Sequence, residues 1–271
     1  MSISVICACK NRTKPLEISL TSWLMFEEIQ EIIITDWSSD EPIDHLIKYD
    51  EKVKIISVTG EKYFNQPQPL NLAASIATGD YILKLDSDTI LNPYYNFFKS
   101  HFIDETSFLT GFYDKKEIGT NCYYDGLWGT LYLTKQNFLS VGGYNEHMGD
   151  YGAWEDDEIV QRLMMFGLYH KKLDHKLNTI MSIPHSSEER IKNFKSFNED
   201  KKIENNVRKK LESSLSKTDI DKVIFKVLWE THNRINYSKY KPTRYYIEPV
   251  VKWELEQISS QQYKAQKILN K

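Results

Sequence analysis

Cysteine is scarce, and its spacing excludes two kinds of scaffold. Cys7, Cys9 and Cys122 make an odd count of 3 with no Cys-x-x-Cys pair. That rules out a disulfide framework and a zinc ribbon. Two of them sit inside a hydrophobic run, where a free cysteine acts as a small buried hydrophobe. An excess of one charge is missing too, with 35 basic against 38 acidic residues and a net charge of −3. No global positive field exists to draw in nucleic acid or an anionic membrane surface. Long apolar runs are absent: none reaches the ~18 residues that a membrane helix needs. The opening MSISVICACKNR has no charged n-region and too short an apolar stretch for a signal peptide. The expectation is a cytoplasmic, reduced chain with no membrane span and no nucleic-acid partner. Glycine is sparse where dinucleotide sites need it. No Gly-x-Gly-x-x-Gly follows the first apolar run, and there is no P-loop. Any bound phosphate therefore needs a different counter-charge.

What is present reads as a folded α/β chain. Hydrophobic residues make up 41% and charged residues 27%, as in ordinary globular proteins. The 271 residues fit one large domain or one domain with an appendage. Aromatics, at 13%, suit both a core and a pocket for rings, sugars or bases.

Buried-strand runs at Ser4 to Cys9, Glu31 to Thr35, Val53 to Val58 and Tyr81 to Leu85 alternate with helical patterns. The helices are read from Pro15, as first helical residue, to Leu24, from Pro42 to Tyr49 and from Leu70 to Ala77. Apolar strands in β-α-β order predict a parallel sheet covered on both faces. Ligands of such sheets bind beyond the carboxyl ends of the strands. The polar clusters lie there: Lys10 to Arg12, Asp36 to Asp40, and Asp86-Ser87-Asp88.

The following stretch is less regular. Strands are predicted at Phe108 to Tyr113, Thr130 to Leu133 and Thr179 to Ile183, and helices at Gln136 to Val141 and Glu155 to Phe166. After His185 the composition shifts to Lys, Glu, Asn and Ser at helical spacing, with Asp219 as an N-cap. The reading is a catalytic domain over residues 1–187 and a helical C-terminal extension over residues 188–271, the latter serving an acceptor or partner.

Asp86 and Asp88 end a buried strand in ILKLDSD. Two carboxylates so close are costly without a cation, and a hard ion such as Mg²⁺ or Mn²⁺ resolves the repulsion and neutralises a diphosphate. The bland alternative is a turn in which one Asp caps a helix near Pro93. Glu155-Asp156-Asp157-Glu158 opens a helix, where acids are favoured by the dipole. Four consecutive acids nevertheless repel one another more than that preference calls for.

These stretches resemble GT-A-type inverting glycosyltransferases of the family 2 kind. The resemblance is carried by Lys10-Asn11-Arg12, EIIITDWSSDEP, ATGDYILKLDSD, GGYNE and WEDDEIVQRL, in that order, between about Ile3 and Phe166. A second resemblance, to β-1,4-galactosyltransferase and chondroitin-synthase-like enzymes, rests on Phe64-Asn65, Leu70-Asn71, the EDD segment and a later histidine. Two departures stand out. Tyr151-Gly152-Ala153-Trp154 replaces a Trp-Gly-Gly, and Gln66 stands where a basic residue is expected. The resemblance implies a UDP-linked donor sugar, a glycan or other hydroxyl acceptor, Mn²⁺ or Mg²⁺, and inversion at the anomeric carbon.

It also implies roles. Asp156 is the general base, with Glu155 holding the acceptor and Asp157 anchoring the helix start. Asp86, Asp88 and His185 are the metal ligands, Asp86 also touching the donor. Asp36 meets the nucleoside, and Asn71 the uracil or ribose unless it only starts a helix. Phe64 either stacks on uracil or fills the core. Arg12 either pairs with a phosphate or lies on the surface. Trp128 either platforms a sugar ring or is structural. Two other function classes stay open: a sugar-phosphate nucleotidyltransferase, and a non-catalytic glycan- or nucleotide-binding subunit. The oligomeric state is left open.

Overall fold

The structure is a computed structural model that describes residues 1–111, 127, 129–144, 155–186, 192–194, 241–242, 251–259 and 262–269. Among these, β1 (Ile3–Cys9), α1 (Thr13–Trp23), β2 (Ile29–Trp37), β3 (Val53–Val58), α2 (Pro67–Ile76) and β4 (Tyr81–Lys84) form the first half. A 3-10 turn at Asp44–Tyr49 takes the place of the helix expected there. Both proline-led helices begin earlier than the apolar spacing suggests. Pro15 is the third residue of α1, and Pro67 opens α2. A first-turn residue has no intrahelical partner for its N–H, so proline is tolerated throughout that turn.

The second half adds β5 (Thr89–Leu91), α3 (Phe97–Ser100), β6 (Ser107–Thr110), β7 (Leu131–Thr134), α4 (Lys135–Ser140), α5 (Glu155–Met165), β8 (Tyr169–Lys172) and β9 (Ile180–Ser182). Asn96 caps α3 by accepting from the Lys99 N–H. The aspartate-capped helix near Pro93 is therefore not formed; β5 occupies that ground.

The main sheet has the strand order β3-β2-β1-β4-β7-β6-β8, extended beyond β3 by the short β10 (Lys241–Pro242). β3, β2, β1 and β4 run parallel, whereas β7 is antiparallel to both β4 and β6. Side chains alternate between two cores, as the period of a strand requires. Ile6, Ile33 and Ile82 face the layer built by α2, α4 and α5. Val5, Cys7, Ile32, Ile34 and Leu83 face the layer of α1 and α3. Cys7 and Cys9 are buried free thiols. No described helix is long and apolar enough to cross a membrane.

The expected helical C-terminal extension is corrected where the chain is described. β11 (Val251–Ser259) and β12 (Gln262–Leu269) form an antiparallel hairpin. The strict alternation of Val251, Trp253 and Leu255 with Lys252, Glu254 and Glu256 has the strand period. The helix expected from Asp219 lies outside the described residues.

Strand order reverses between β1 and β4, so their carboxyl ends flank the switch point where open α/β sheets bind ligands. Gly79 makes this pairing feasible. An added Cβ there would stand 2.8 Å from the Ser4 nitrogen.

Candidate active site

Beyond β4 the chain places Asp86 and Asp88 in a tight turn closed by the Thr89 N–H donating to the Asp86 carbonyl. Each aspartate finds a cation of the chain itself. Lys84 stands on the same strand face as Ile82 and is fully buried; its Nζ lies 2.8 Å from Asp86 Oδ1 and 3.5 Å from Asp156 Oδ1. Burial alone would push the Lys84 ammonium down, but Asp156 and Asp86 hold it well above the ordinary lysine value. Gln66 also donates to Asp86, at 3.3 Å. The residue that departs from the resembling motif thus contacts the D-x-D directly.

Asp88 is paired differently. Arg12 Nη2 lies 2.6 Å from its Oδ2, and His185 Nε2 lies 3.2 Å from the same oxygen. Burial and the neighbouring Asp86 raise the Asp88 carboxyl, while Arg12 and His185 pull it down. His185 reaches this point through tertiary structure. β9 pairs with β5, and the Ile183 N–H donates to the Asp88 carbonyl at 2.7 Å. Arg12 is therefore no idle surface arginine: it supplies the charge that lets Asp88 stay buried.

Asp156, at the start of α5, accepts a hydrogen bond from the Tyr144 hydroxyl at 3.2 Å besides facing Lys84. Burial raises its carboxyl above the ordinary range, and Asp86 adds to this, while Lys84 and Tyr144 oppose it. Burial, with Asp156 adding, pushes the Tyr144 phenol well up, so that it stays a donor. Glu155 is buried beside Asp156, and Asp157 is half-buried.

Tyr144 is held by two buried devices. Asn71 accepts from the Tyr144 N–H and donates to its carbonyl, both at 2.8 Å. Arg162 forms a two-pronged pair with Glu158, at 2.6 and 2.5 Å, and donates to the carbonyls of Val141 and Gly143. Asn71 thereby clamps the Tyr144 loop. Gly143 is required beside it: its φ is +71°, and a Cβ would stand 2.4 Å from Asn71 Oδ1.

At the ends of β1 and β2, Asp36 is buried and accepts from the N–H groups of Ser39 at 3.0 Å and Ile43 at 3.4 Å. Burial raises its carboxyl above the ordinary value. Lys10 donates to three carbonyls, of Trp37, Ser38 and Glu61, and so ties the loops after β1, β2 and β3 together. Phe64 is half-buried, with its ring 5.6 Å from that of Phe194. Trp128 lies outside the described residues. So does the Tyr151-to-Trp154 segment.

Among the described residues no three acidic, histidine or cysteine side chains converge to hold an ion by themselves. Asp88 and His185 do converge, offering one hard oxygen and one imidazole, which Mn²⁺ and Mg²⁺-type chemistry accepts alongside diphosphate oxygens. Asp86 is engaged by Lys84 and Gln66 and is not part of that pair.

Lys84, Tyr144 and Arg162 join the site only through the fold. Lys84 had a signal, a charge inside an apolar strand. Arg162 had one too, its spacing of four from Glu158.

The half-parallel sheet, the acidic turns at its switch point and the acidic helix start facing them agree with the GT-A-type fold that the resemblance implies. Residues 4–139 match the family model "Glycosyl transferase family 2", and residues 116–186 match "N-terminal domain of galactosyltransferase". The chain belongs to glycosyl transferase family 2. It is 33% identical over 98 residues to the poly-beta-1,6-N-acetyl-D-glucosamine synthase of Staphylococcus aureus, a stretch covering 34% of this chain and 24% of that protein. S. aureus TarS 1-349 in complex with UDP-GlcNAc superposes with a TM-score of 0.53 at 17% identity, over 69% of this chain and 60% of that one. Full TarS gives a TM-score of 0.51 at 18% identity, over 64% of this chain and 35% of that one. Family membership sets the sugar-phosphate nucleotidyltransferase aside.

Proposed function

We propose that this chain transfers a glycosyl unit, with inversion, from a UDP-linked sugar to an acceptor hydroxyl, and that Asp156 is the general base. One observation carries the reading. Lys84 lies between Asp86 and Asp156, bringing a carboxylate from α5 beside the D-x-D turn at the end of β4.

In this reading the diphosphate of the donor lies against the Asp88, His185 and Arg12 group, and the acceptor hydroxyl comes to Asp156. Asp88 and His185 are the residues that would hold a divalent cation, and such an ion would supply Lewis-acid stabilisation of the departing diphosphate. Asp156 takes the hydroxyl proton on its carboxylate as the acceptor oxygen bonds to the anomeric carbon. Its raised basicity helps that step, since a general base works best when its pKa approaches the operating pH. Lys84 favours its charged form against that rise, and Tyr144 fixes its orientation through one hydrogen bond. Arg12, already beside Asp88, is close enough to exchange that partner for a phosphate oxygen.

A panel of UDP-sugars with Mn²⁺, scored for donor hydrolysis, tests the reading without knowledge of the acceptor. Release of UDP from at least one donor, lost in Asp156→Asn, is expected. A chain that binds UDP-sugars yet turns over none of them, even with a range of glycan acceptors, is a non-catalytic binding subunit instead.

A further inference from the structure

Residues 192–194, in the stretch whose composition reads as an acceptor- or partner-binding extension, lie against the loops that follow β1 and β3. Asn193 accepts from Asn11 Nδ2 at 3.0 Å and donates from its own Nδ2 to the Lys10 carbonyl at 3.1 Å. Its backbone carbonyl accepts from the Phe64 N–H at 2.8 Å. Three hydrogen bonds thus fasten one residue to two separate loops. Asn11 itself has a φ of +56°, a conformation that asparagine tolerates better than most residues but that still needs holding. The Ser39 hydroxyl and the Asp40 N–H complete that hold.

The residue after Asn11 is Arg12, the partner of Asp88. The residue after Asn193 is Phe194, whose ring leans on Phe64 at a tilt of 55°. Both rings stay half-buried at an end of the sheet lined by Asp36, Lys10 and Asn11. Phe64 packs on one side against the core under α2, and the half-buried remainder of the ring pair lies at a polar edge, where a nucleobase is an occupant with matching flat, apolar faces.

We infer that Asn193 and Phe194 complete the nucleobase end of the donor pocket, Phe194 bracing Phe64 against the base and Asn193 fixing the turn that carries Arg12. This rests on the nucleotide-sugar reading above and adds two residues to it. Donor binding therefore requires the chain beyond residue 192, and the extension is not reserved for acceptor or partner.

The test uses the full chain with Mn²⁺ and two probes, UDP and inorganic pyrophosphate, which shares the phosphates but has no base. Phe194→Ala is expected to weaken UDP binding about tenfold, on the scale of a lost aromatic contact to a base, while pyrophosphate binding and the unliganded melting temperature stay near the parent's. Phe194→Tyr restores UDP binding. Asn193→Asp, which lacks the amide donor to Lys10, weakens binding in the same direction. The inference is overturned if Phe194→Ala and Asn193→Asp bind UDP like the parent, or if Phe194→Ala loses UDP and pyrophosphate in parallel, the mark of general collapse. If the parent itself binds no nucleoside diphosphate, the donor reading falls first and this inference with it.

Discussion

Gly129 is the sharpest point at which to perturb the site without touching an ionisable group. A Cβ added there would stand 2.2 Å from Asp86 Oδ2, 3.1 Å from Asp86 Cγ and 2.6 Å from Lys84 Nζ. Lys84 is fully buried and cannot withdraw, whereas the Asp86 side chain is 31% exposed. Gly129→Ala should therefore swing Asp86 off Lys84 and break their 2.8 Å contact. A hydrogen bond involving charged groups is worth about 1.5–3 kcal/mol, so the variant should lose about that much stability, while UDP, which meets Asp88, His185 and Arg12 in the proposed mode, should bind near the parent's affinity. Asp156 remains beside Lys84, so the fold should survive with a lowered melting temperature. Titration of UDP with Mn²⁺ and thermal melting read the two effects separately. Parent-like stability in Gly129→Ala would refute the close approach to Asp86, and a large loss of UDP affinity would refute the placement of the diphosphate on Asp88, His185 and Arg12 alone.

Three further outcomes are expected. Asp156→Asn should fold and bind UDP with metal but lose transfer by about 10²-fold or more, the usual scale of general-base catalysis, while Asp157→Asn loses less; equal activity in both variants moves the base elsewhere. Asp88→Ala should erase the difference in UDP-induced stabilisation between Mn²⁺ and chelator, because it removes one of two converging donors; a difference that persists argues against Asp88 as a ligand. At the opposite end of the sheet, burial would raise the Glu31 carboxyl, but Lys54, Ser4 and Thr78 outweigh it and hold it below the ordinary value. Its contribution is fully present above the unfolded glutamate pKa of about 4.3 and is lost as pH falls through the lower folded value, so the parent's melting temperature should drop across that acid window more steeply than that of Glu31→Gln. Parallel curves would exclude Glu31 as a source of acid sensitivity.

Local sequence already determined the strands and much of the chemistry. Val53 to Val58 reads as one buried strand and is one, because an apolar run of that length between polar breaks has few other ways to bury itself. The D-x-D and the acidic start of α5 were legible for a similar reason: charge placed where chain burial makes it costly stands out from its neighbours. The C-terminal hairpin was equally present, as a period of two, and was overlooked behind the Lys- and Glu-rich composition before it. Tertiary structure decided what those groups meet. Asp88 and His185 are far apart in the chain and come together only because β5 pairs with β9. Asn71, a candidate on sequence grounds, meets the Tyr144 backbone at both ends of its amide. Arg12 has no visible partner in the sequence, yet in the fold it neutralises Asp88. Lys84, an anomaly within an apolar run, becomes the buried cation between two aspartates from different elements. Asn193 and Phe194 carry no local signal, since a hydrogen bond across such a loop closure depends on where the sheet sets its strand ends. Periodicity and burial act over neighbouring residues and can be read along the chain; pairing of charges and amides acts through space and exists only after the sheet has chosen its strand order.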